Sequence, residues 1–538
     1  MARALMRTRI SDLRVSDPAG EWMLVPGSFF SFLAVRLSEI ANEDVVGGVF
    51  CERLGRPSIP PEHLVAILLL RYFEGVSYAV AADRARFDVR WKAVLGRKPE
   101  DPGSIVSDTT LNDFEDVLRR RGRFGLLLKR TIELAKEAGF LADEIEGVQD
   151  SSPILGRGAV KDTYNLLGDA IKKLVRGLAH AQDEKPRDAA RRYGVEDLFR
   201  RSTKATAEID WSSPDARRGF LQRLVATAED LIAKIDPREP WGVAPPVVAA
   251  VAIVRKIIAQ DLELGADGNV QMRQGVAEDR LISVHDPEMR RGHKTQSEAF
   301  EGFKFHHMVE TKHGFILATE VTGANTHDSV PSAPMAERAE EASGCVVTKV
   351  IGDCASGTEK NRVEHADVGR ALVAKIPRPA RGARLSKSSF EIDLADKSVT
   401  CPQGITTRHF SVIRAANAEP DREILPPNQR AKLFVFPPEQ CGVCPQRVNC
   451  ISDKHASRAI EVGPNEALLI EARAYQHTDA YKADRRTRQI VERQVARMVR
   501  LGARFARCFG KVKVHAQIAV IAAVANLTRL VSLMNAAA

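Results

Sequence analysis

Hydrophobic and polar positions repeat with the helical period in the first quarter of the chain. In PPEHLVAILLLRYFEGVSYAVAADRA, residues 60–85, apolar residues recur on one face and are interrupted at Glu74–Ser77. The pattern predicts a helix, a break and a second helix. A further helix is expected within 107–130, with Ser107 or Asp108 as its N-cap.

Alternating apolar residues predict strands in the middle of the chain. A short run from residue 144 ends on Asp150, and VVTKVIGD, residues 346–353, ends on Asp353; strand-breaking residues follow both. More strands are expected at 303–311, 315–329 and 371–377, with a helix at about 331–343.

Three other segments have a different pattern. Residues 158–265 are largely helical in periodicity, whereas 378–470 contain many Pro and Gly residues that interrupt short strands. The last 65 or so residues predict two helices, which contain 481–499 and 515–534.

The helical segment after Asp150 and the segment rich in Pro and Gly are interpreted as two insertions. Without them, the elements follow the order of a ribonuclease-H-like α/β fold, a mixed sheet flanked by helices. That fold can bring together acids from its first strand, its fourth strand and a late helix, here Asp150, Asp353 and Glu492. The expected domains are an all-helical N-terminal DNA-binding domain at 1–140, core strands at 141–157 and 300–378, a mainly helical insertion at 158–299, a Cys-rich insertion at 379–470, and C-terminal basic helices at 471–538 that complete the core.

Three carboxylates in this arrangement suit two-metal phosphodiester chemistry. Such cleavage uses two divalent cations roughly 4 Å apart, and Mg²⁺ takes oxygen ligands while leaving positions for phosphate and water. Asp150 would bridge the two ions, and Asp353 and Glu492 would each complete one. Two alternatives stay open: Asp353 caps the following segment, and Glu492 forms an i,i+4 ion pair with Arg488.

Charge is concentrated at the C-terminal end of the chain. Residues 472–538 hold thirteen Lys and Arg and three acidic residues, a balance of +10, whereas the whole chain carries +9. A basic segment in an otherwise neutral protein indicates a polyanionic partner, nucleic acid first, unless it is simply a solvated helix face. A second basic cluster lies at Arg119–Arg123. The candidate DNA-binding residues are Arg485, Arg486, Arg488, Arg493, Arg497, Arg500, Arg504 and Lys511.

Composition favours a cytoplasmic protein, with 44% hydrophobic and 28% charged residues. The N-terminal arginines are not followed by an apolar run, and the apolar stretches 247–253 and 518–527 are too short to span a bilayer. Nucleotide-binding glycine motifs are absent, which argues against ATP-driven chemistry.

Four of the eight cysteines cluster in the second insertion, and in a cytoplasmic protein they indicate a metal rather than disulfides. A structural zinc ion takes four such ligands; reduced thiols packed in a small insertion are the alternative. The candidate zinc ligands are Cys401, Cys441, Cys444 and Cys450.

Three further polar residues accompany the strands. Asp328 is either another acid near the site or, as we expect, the cap of a helix that begins near Ser329. His306 and His307 are adjacent in a strand, so at most one should face the site.

Several segments in the same order resemble the DDE transposases of bacterial insertion sequences. The resemblance is carried by residues 149–167, by 302–310, 323–328 and 350–361, by 485–530, and by 60–96 in the N-terminal region. Within this family, the chain resembles the branch that has a long insertion after the first aspartate and a cysteine-bearing insertion before the glutamate. Arg485 stands where the family signature has tyrosine, and Val499 where it has lysine.

The resemblance implies a DNA transposase that cuts insertion-sequence ends and joins the freed 3′-hydroxyl to target DNA. It implies two Mg²⁺ or Mn²⁺ ions as cofactors, double-stranded DNA as partner, a homodimer in the DNA complex, and a bacterial cytoplasmic location near the nucleoid. Three alternatives remain: a metal-dependent endonuclease that does not join strands, a non-catalytic DNA-binding protein derived from a transposase, and a zinc-dependent module that explains only residues 401–450.

Overall fold

The computed structural model describes residues 5–6, 24–51, 56–101, 106–266, 268–295, 297–377, 385–413 and 430–538. The N-terminal part of this described chain is helical apart from one short parallel strand pair. Its elements are β1 (Leu5–Met6), α1 (Phe29–Ile40), α2 (Glu43–Val46), β2 (Arg56–Pro57), α3 (Pro61–Glu74), α4 (Tyr78–Phe87), α5 (Val89–Val94), α6 (Asp108–Arg120) and α7 (Arg123–Glu137).

Two features predicted for this region are confirmed. The helices α3 and α4 are separate and meet at 113°, because Gly75 ends α3 with a left-handed φ of 69°. Ser107 caps α6, since its side chain accepts a hydrogen bond from the backbone N–H of Thr110.

The first core strand is followed by a helical insertion with its own hydrophobic core, which includes Leu174, Leu224 and Val254. The elements are β3 (Glu144–Leu155), α8 (Thr163–Ala181), α9 (Pro186–Arg192), α10 (Glu196–Arg200), α11 (Pro214–Ala233), α12 (Pro245–Asp261), β4 (Leu262–Leu264) and β5 (Val270–Met272).

The chain then returns to the sheet that β3 began. The elements are β6 (Arg290–His293), β7 (Ala299–Glu310), β8 (Ile316–Gly323), α13 (Ser332–Ser343), β9 (Val346–Ile351), α14 (Glu359–Ala366) and β10 (Ala371–Val373). The spatial order is β10-β9-β3-β7, with β6 and β8 both paired to β7. Because β3 is parallel to β9 and antiparallel to β7, the sheet is mixed. The predicted order of core elements is confirmed, with β6 and α14 as additions that the sequence pattern did not predict.

The strand β3 does not end on Asp150, so the predicted end was wrong. It continues through Pro153 to Leu155 and stays paired with β7. Its pairing with β9 stops at Val148, and beyond that point the N–H of Leu155 instead donates to the carbonyl of Arg504. Pro153 and Leu155 are two residues apart, so the nitrogen of Pro153 also points away from β7. Proline has no N–H to donate, but at this position it removes no hydrogen bond between β3 and β7.

The second insertion and the C-terminal helices complete the described chain. Two three-stranded sheets form in the insertion, in the orders β11-β12-β13 and β14-β15-β16. The elements are β11 (Glu391–Asp393), β12 (Ser398–Thr400), β13 (Thr406–Thr407), β14 (Phe410–Val412), β15 (Lys432–Val435), α15 (Pro438–Gly442), α16 (Arg447–Cys450), β16 (Ala459–Val462), α17 (Glu466–Gln476), α18 (Asp479–Thr487), α19 (Gln489–Met498) and α20 (Lys511–Ala537).

The basic C-terminal region differs from the predicted pair of helices. The first predicted helix is divided at Arg488 into α18 and α19, and a π-helical turn, Val499–Ala503, follows α19. The second is confirmed as α20, which packs against β8 and α7 in the main core.

In the described part of the chain, α20 is long and apolar enough to cross a membrane by length and composition. The bent pair α3–α4 passes the same test only if counted as one span. The apolar window of α20 is 72% buried inside the protein, as expected of a core helix.

Candidate active site

Strand pairing brings Asp150 and Asp353 together. In the parallel pair β3–β9, Val148 lies opposite Ile351, and each aspartate follows two residues later in its strand direction. Both side chains therefore emerge at the same edge of the sheet, and both line one pocket. The predicted meeting of two acids from the first and fourth core strands is what the geometry shows.

A tight turn fixes Asp353 behind its strand. The backbone N–H and the Oγ of Ser356 donate to Asp353 Oδ1 at 3.1 and 3.2 Å. Gly352 allows this close turn, since a Cβ there would lie 2.8 Å from the Ser356 Cβ. The next helix, α14, is capped by Thr358. Asp353 therefore caps the turn that follows its strand, as the alternative interpretation expected, but it is not the cap of α14.

Asp150 is partly buried, and its surroundings change its pKa. Burial raises its pKa to about 6, and the nearby carboxylates of Asp353 and Asp328 act in the same direction. The N–H of Ser151, at 2.9 Å, and Arg488, whose Nη2 lies 3.7 Å from Asp150 Oδ2, oppose this rise. Burial therefore outweighs these two stabilising contacts, and the Asp150 carboxyl ionises less readily than that of a free aspartate.

Asp328 lies in the same pocket, and its expected capping role was wrong. The helix α13 has Pro331 at its N-cap position and no side-chain cap bond. Asp328 Oδ1 instead accepts a hydrogen bond from Lys304 Nζ at 3.0 Å. Sequence reasoning missed this contact because a carboxylate just before a helix has the same local signature as an N-cap.

Both adjacent histidines line the pocket, although at most one was expected to face it. His306 Nε2 lies 2.9 Å from Thr322 Oγ1, whereas the fully buried ring of His307 lies close to the backbone of Asp150 and Val491. Burial lowers the pKa of each to about 4. Both rings are therefore neutral at physiological pH and add no positive charge beside the carboxylates.

Glu492 is not brought into this pocket. It is exposed on α19, one turn after Arg488, and its carboxylate forms no hydrogen bond or ion pair within the described residues. Arg488 contacts Asp150 instead, so the alternative Arg488–Glu492 ion pair is not formed. No group of three or more His, Cys, Asp and Glu side chains in the described ranges is placed to hold a metal ion.

The candidate DNA-binding residues have few internal partners. Apart from Arg488, none forms an ion pair with an acidic side chain in the described structure: Arg485, Arg486, Arg493, Arg497, Arg500, Arg504 and Lys511. The cluster Arg119–Arg123 differs, because much of it is bound within the protein. Arg123 Nη2 donates to the Gly47 carbonyl at 2.8 Å, and Arg119 pairs with Asp116 at 2.7 Å.

The clustered cysteines are close to one another but form no metal site. All eight cysteines are free thiols. Burial raises the pKa of Cys450, and Cys441, Cys444 and Cys401 are near enough to raise it further. Since the described residues contain no metal-holding group, the structure does not support the zinc prediction.

The sheet is mixed, and its two acids lie just beyond the paired part of the parallel strands β3 and β9, beside an arginine-rich helix. This arrangement is consistent with the nuclease and transposase class of enzymes. Comparison with protein families agrees with this class. Residues 400–531 match the model of a transposase DDE domain, and residues 31–116 match the model of a transposase domain, DUF772.

These two matches support a DDE transposase family, and a DDE domain implies a ribonuclease-H-like core. The first match contains Glu492 and the four clustered cysteines, whereas Asp150 and Asp353 lie outside both matches. No curated protein and no solved structure matches the chain.

Proposed function

We propose that this protein is a DNA transposase that cleaves insertion-sequence ends and transfers the 3′-hydroxyl to target DNA in the cytoplasm. The observation that carries the proposal is the convergence of Asp150 and Asp353 in a chain with two transposase-domain matches. The strand order β10-β9-β3-β7, with β8 beside β7, supports a ribonuclease-H-like core.

Two of the three proposed ligands, Asp150 and Asp353, already converge on one pocket, and their chemistry fits a divalent cation. The candidate ligands are carboxylate oxygens, which Mg²⁺ and Mn²⁺ prefer. Burial, and to a smaller extent the carboxylates of Asp353 and Asp328, raise the pKa of Asp150, and a bound cation would favour its ionised form. Asp150 and Asp353 would hold the metal, with Glu492 as the third ligand from α19. Two bound Mg²⁺ ions supply charge stabilisation at a scissile phosphate.

The surrounding residues of this chain orient the acids. Lys304 holds Asp328 at the edge of the pocket, and the Ser356 hydroxyl and N–H hold Asp353. Arg488 places a positive charge beside Asp150, where it can also contact a DNA phosphate. No partner within the described chain holds Glu492 in its exposed position, so its side chain is free to reorient when metal and DNA bind.

Double-stranded DNA, both element ends and target, would be held by the basic C-terminal helices. Seven of the eight candidate DNA-binding residues, all except Arg488, have no acidic partner within the described residues and are therefore available for phosphate contacts. Joining two ends in one event calls for two active sites, so we propose a homodimer in the DNA complex.

The test is a cleavage and joining assay on labelled element-end DNA with Mg²⁺. It compares the wild type with Asp353→Ala, Glu492→Ala and the control Asp367→Ala, which removes an exposed acid outside the pocket. We expect both site variants to lose cleavage and joining while keeping DNA affinity, and the control to stay active. Full activity of Asp353→Ala would overturn the proposal.

A second candidate is a non-catalytic DNA-binding protein derived from a transposase. The position of Glu492 outside the acidic pocket favours it. Tight DNA binding by the wild type, without any cleavage in Mg²⁺ or Mn²⁺, would support the non-catalytic function. Cleavage without joined product would indicate an endonuclease.

A further inference from the structure

A basic cleft lies beside α19, formed by the turn between β7 and β8, by α19 and the turn after it, and by α20. Its volume is about 450 Å³. The lining residues are Lys312, His313, Gly314, Ile490, Arg493, Gln494, Ala496, Arg497, Arg500 and Arg529.

The cleft concentrates positive charge without a compensating acid. Five of its residues are cations and none is Asp or Glu. Within the described parts of the chain, none of the five cations forms an ion pair. They are Lys312, Arg493, Arg497, Arg500 and Arg529.

An acid next to the cleft, Glu310, forms hydrogen bonds that shape the turn. Its carboxylate accepts hydrogen bonds from the backbone N–H groups of Lys312, His313 and Gly314, at 2.5, 2.7 and 3.2 Å. Glu310 is only 4% exposed, so it does not face the cleft as a free carboxylate. It fixes the turn that carries Lys312.

Other contacts hold the cleft in shape. Arg529 Nε donates to the His313 carbonyl at 2.6 Å, and Gln494 Nε2 donates to the Gly314 carbonyl at 2.7 Å. Gly314 has a left-handed φ of 80°, which suits a glycine in this tight turn. Burial lowers the pKa of Arg497, and Arg529 and Arg500 lower it further because like charges repel. An anion would relieve this repulsion.

The cleft lies on the other face of α19 from the acids. At 100° per residue, Arg493 and Arg497 point about 100–180° away from the stripe of Arg488 and Glu492. Arg488 reaches Asp150, whereas Arg493 and Arg497 line the cleft. One helix therefore carries two separate basic faces.

We propose that this cleft is a phosphate-binding site that holds backbone phosphates of DNA at a distance from the acidic pocket. Five unpaired cations in one cleft match a row of phosphates, and contacts of this kind fix register without reading sequence. The identity of the ligand as DNA rests on the proposed function, whereas the anion site rests on the charge and geometry of the cleft.

The experiment measures DNA binding by the full chain in EDTA, with a random-sequence duplex and increasing salt. The test variant is Arg493→Gln/Arg500→Gln, and the matched control is Arg187→Gln/Arg255→Gln. Both pairs remove two charges from exposed arginines, and the control arginines form no ion pair in the described structure. We expect the test variant alone to lower the slope of log affinity against log salt by about 2. Its affinity at about 0.1 M salt should fall roughly 10- to 100-fold.

A local readout accompanies this measurement. Acetylation of Lys312, followed by mass spectrometry, should be suppressed by the duplex in the wild type. The same experiment with ADP or inorganic pyrophosphate tests a small phosphate compound as the source of the phosphate. Protection by such a compound, but not by the duplex, would overturn the assignment to DNA.

The outcomes separate this inference from the proposed function. If the test variant binds DNA like the control and with the same salt slope, the cleft does not hold DNA, even where element ends are still cut. If Asp353→Ala keeps its activity while the cleft variant loses affinity, the catalytic proposal fails and the cleft stands. A wild-type protein that binds no duplex would overturn both.

Discussion

The individual acids of the pocket have different surroundings, and these decide how each behaves. Asp353 accepts two hydrogen bonds from Ser356, Asp328 is paired with Lys304, and Asp150 is the residue whose pKa is raised most clearly, to about 6. An ordinary aspartate titrates near 4. The folded, metal-free protein therefore binds a proton at Asp150 more tightly than the unfolded chain does.

This shift predicts that Asp150→Asn stabilises the metal-free protein at neutral pH. Between about pH 4 and pH 6 the unfolded chain releases the proton first, so the stability of the wild type falls as pH rises through this range. Two pKa units correspond to roughly 2–3 kcal/mol. The thermal unfolding midpoint in EDTA should be higher for Asp150→Asn than for the wild type at pH 8, and the difference should shrink towards pH 4.

The same pair of proteins provides the metal control. Added Mg²⁺ should raise the midpoint of the wild type and leave that of Asp150→Asn unchanged, because a ligand stabilises only the state that binds it. A difference between the two midpoints that does not depend on pH would contradict the raised pKa.

A second prediction at this scale concerns Asp328. If Asp328 contributes to the charge of the active site, Asp328→Asn should reduce cleavage at least tenfold while DNA affinity is kept, whereas Asp367→Asn should have no effect. The amide still accepts a hydrogen bond from Lys304, so the fold around it is retained. If Asp328→Asn cleaves at the wild-type rate at saturating Mg²⁺, Asp328 makes no contribution to catalysis and serves only to bind Lys304.

At the scale of elements, the sheet depends on one polar residue of α20. Asn526 is 1% exposed. Its Oδ1 accepts from the Ile316 N–H at 2.8 Å, and its Nδ2 donates to the Ile316 carbonyl at 2.9 Å. Ile316 begins β8, whose pairing with β7 shifts register between Met308 and Val309. Asn526 thus takes the place of a neighbouring strand along this edge.

Replacing Asn526 by Leu should therefore be costly. The change leaves a buried N–H and a buried carbonyl of Ile316 without partners, which costs about 2–4 kcal/mol. Thr528→Val is a suitable control, because the Thr528 hydroxyl bonds only to the Val524 carbonyl within the same helix. Denaturant unfolding of the two variants should show a much larger loss for Asn526→Leu; equal losses would show that the contact is replaced by water.

At the scale of the whole molecule, the N-terminal helices, the mixed sheet and α20 share one hydrophobic core. Its members include Leu68 in α3, Leu127 in α7, Phe305 in β7 and Ile521 in α20. The helical insertion has a separate core. The helical N-terminal region and the mixed sheet therefore do not have separate hydrophobic cores.

This arrangement predicts how fragments behave. Residues 141–538 alone should not fold, because removal of α3 and α7 exposes α20 and β8. Residues 158–285 should fold independently, since they carry a complete core. Circular dichroism melts and limited proteolysis of the two fragments test this. A cooperative melt of residues 141–538 would show that the N-terminal helices are dispensable.

The sequence alone determined most elements, because their signals are local. The break between α3 and α4, the Ser107 cap and the strand before Asp353 depend on residues within a turn or two of one another. Local spacing also identified Asp150 and Asp353 as acids that follow strand-forming residues. The core order, with its two insertions, followed from the same signals.

Only the tertiary structure decided which distant residues meet. The register of β3 with β9 aligns Asp150 with Asp353, the pocket gathers Asp328, and the basic cleft joins Lys312 to Arg529. These contacts link segments far apart in sequence, and local periodicity carries no information about register or packing between them. The same reason explains why the exposed position of Glu492 and the pairing of β3 beyond Asp150 were not predictable from the sequence.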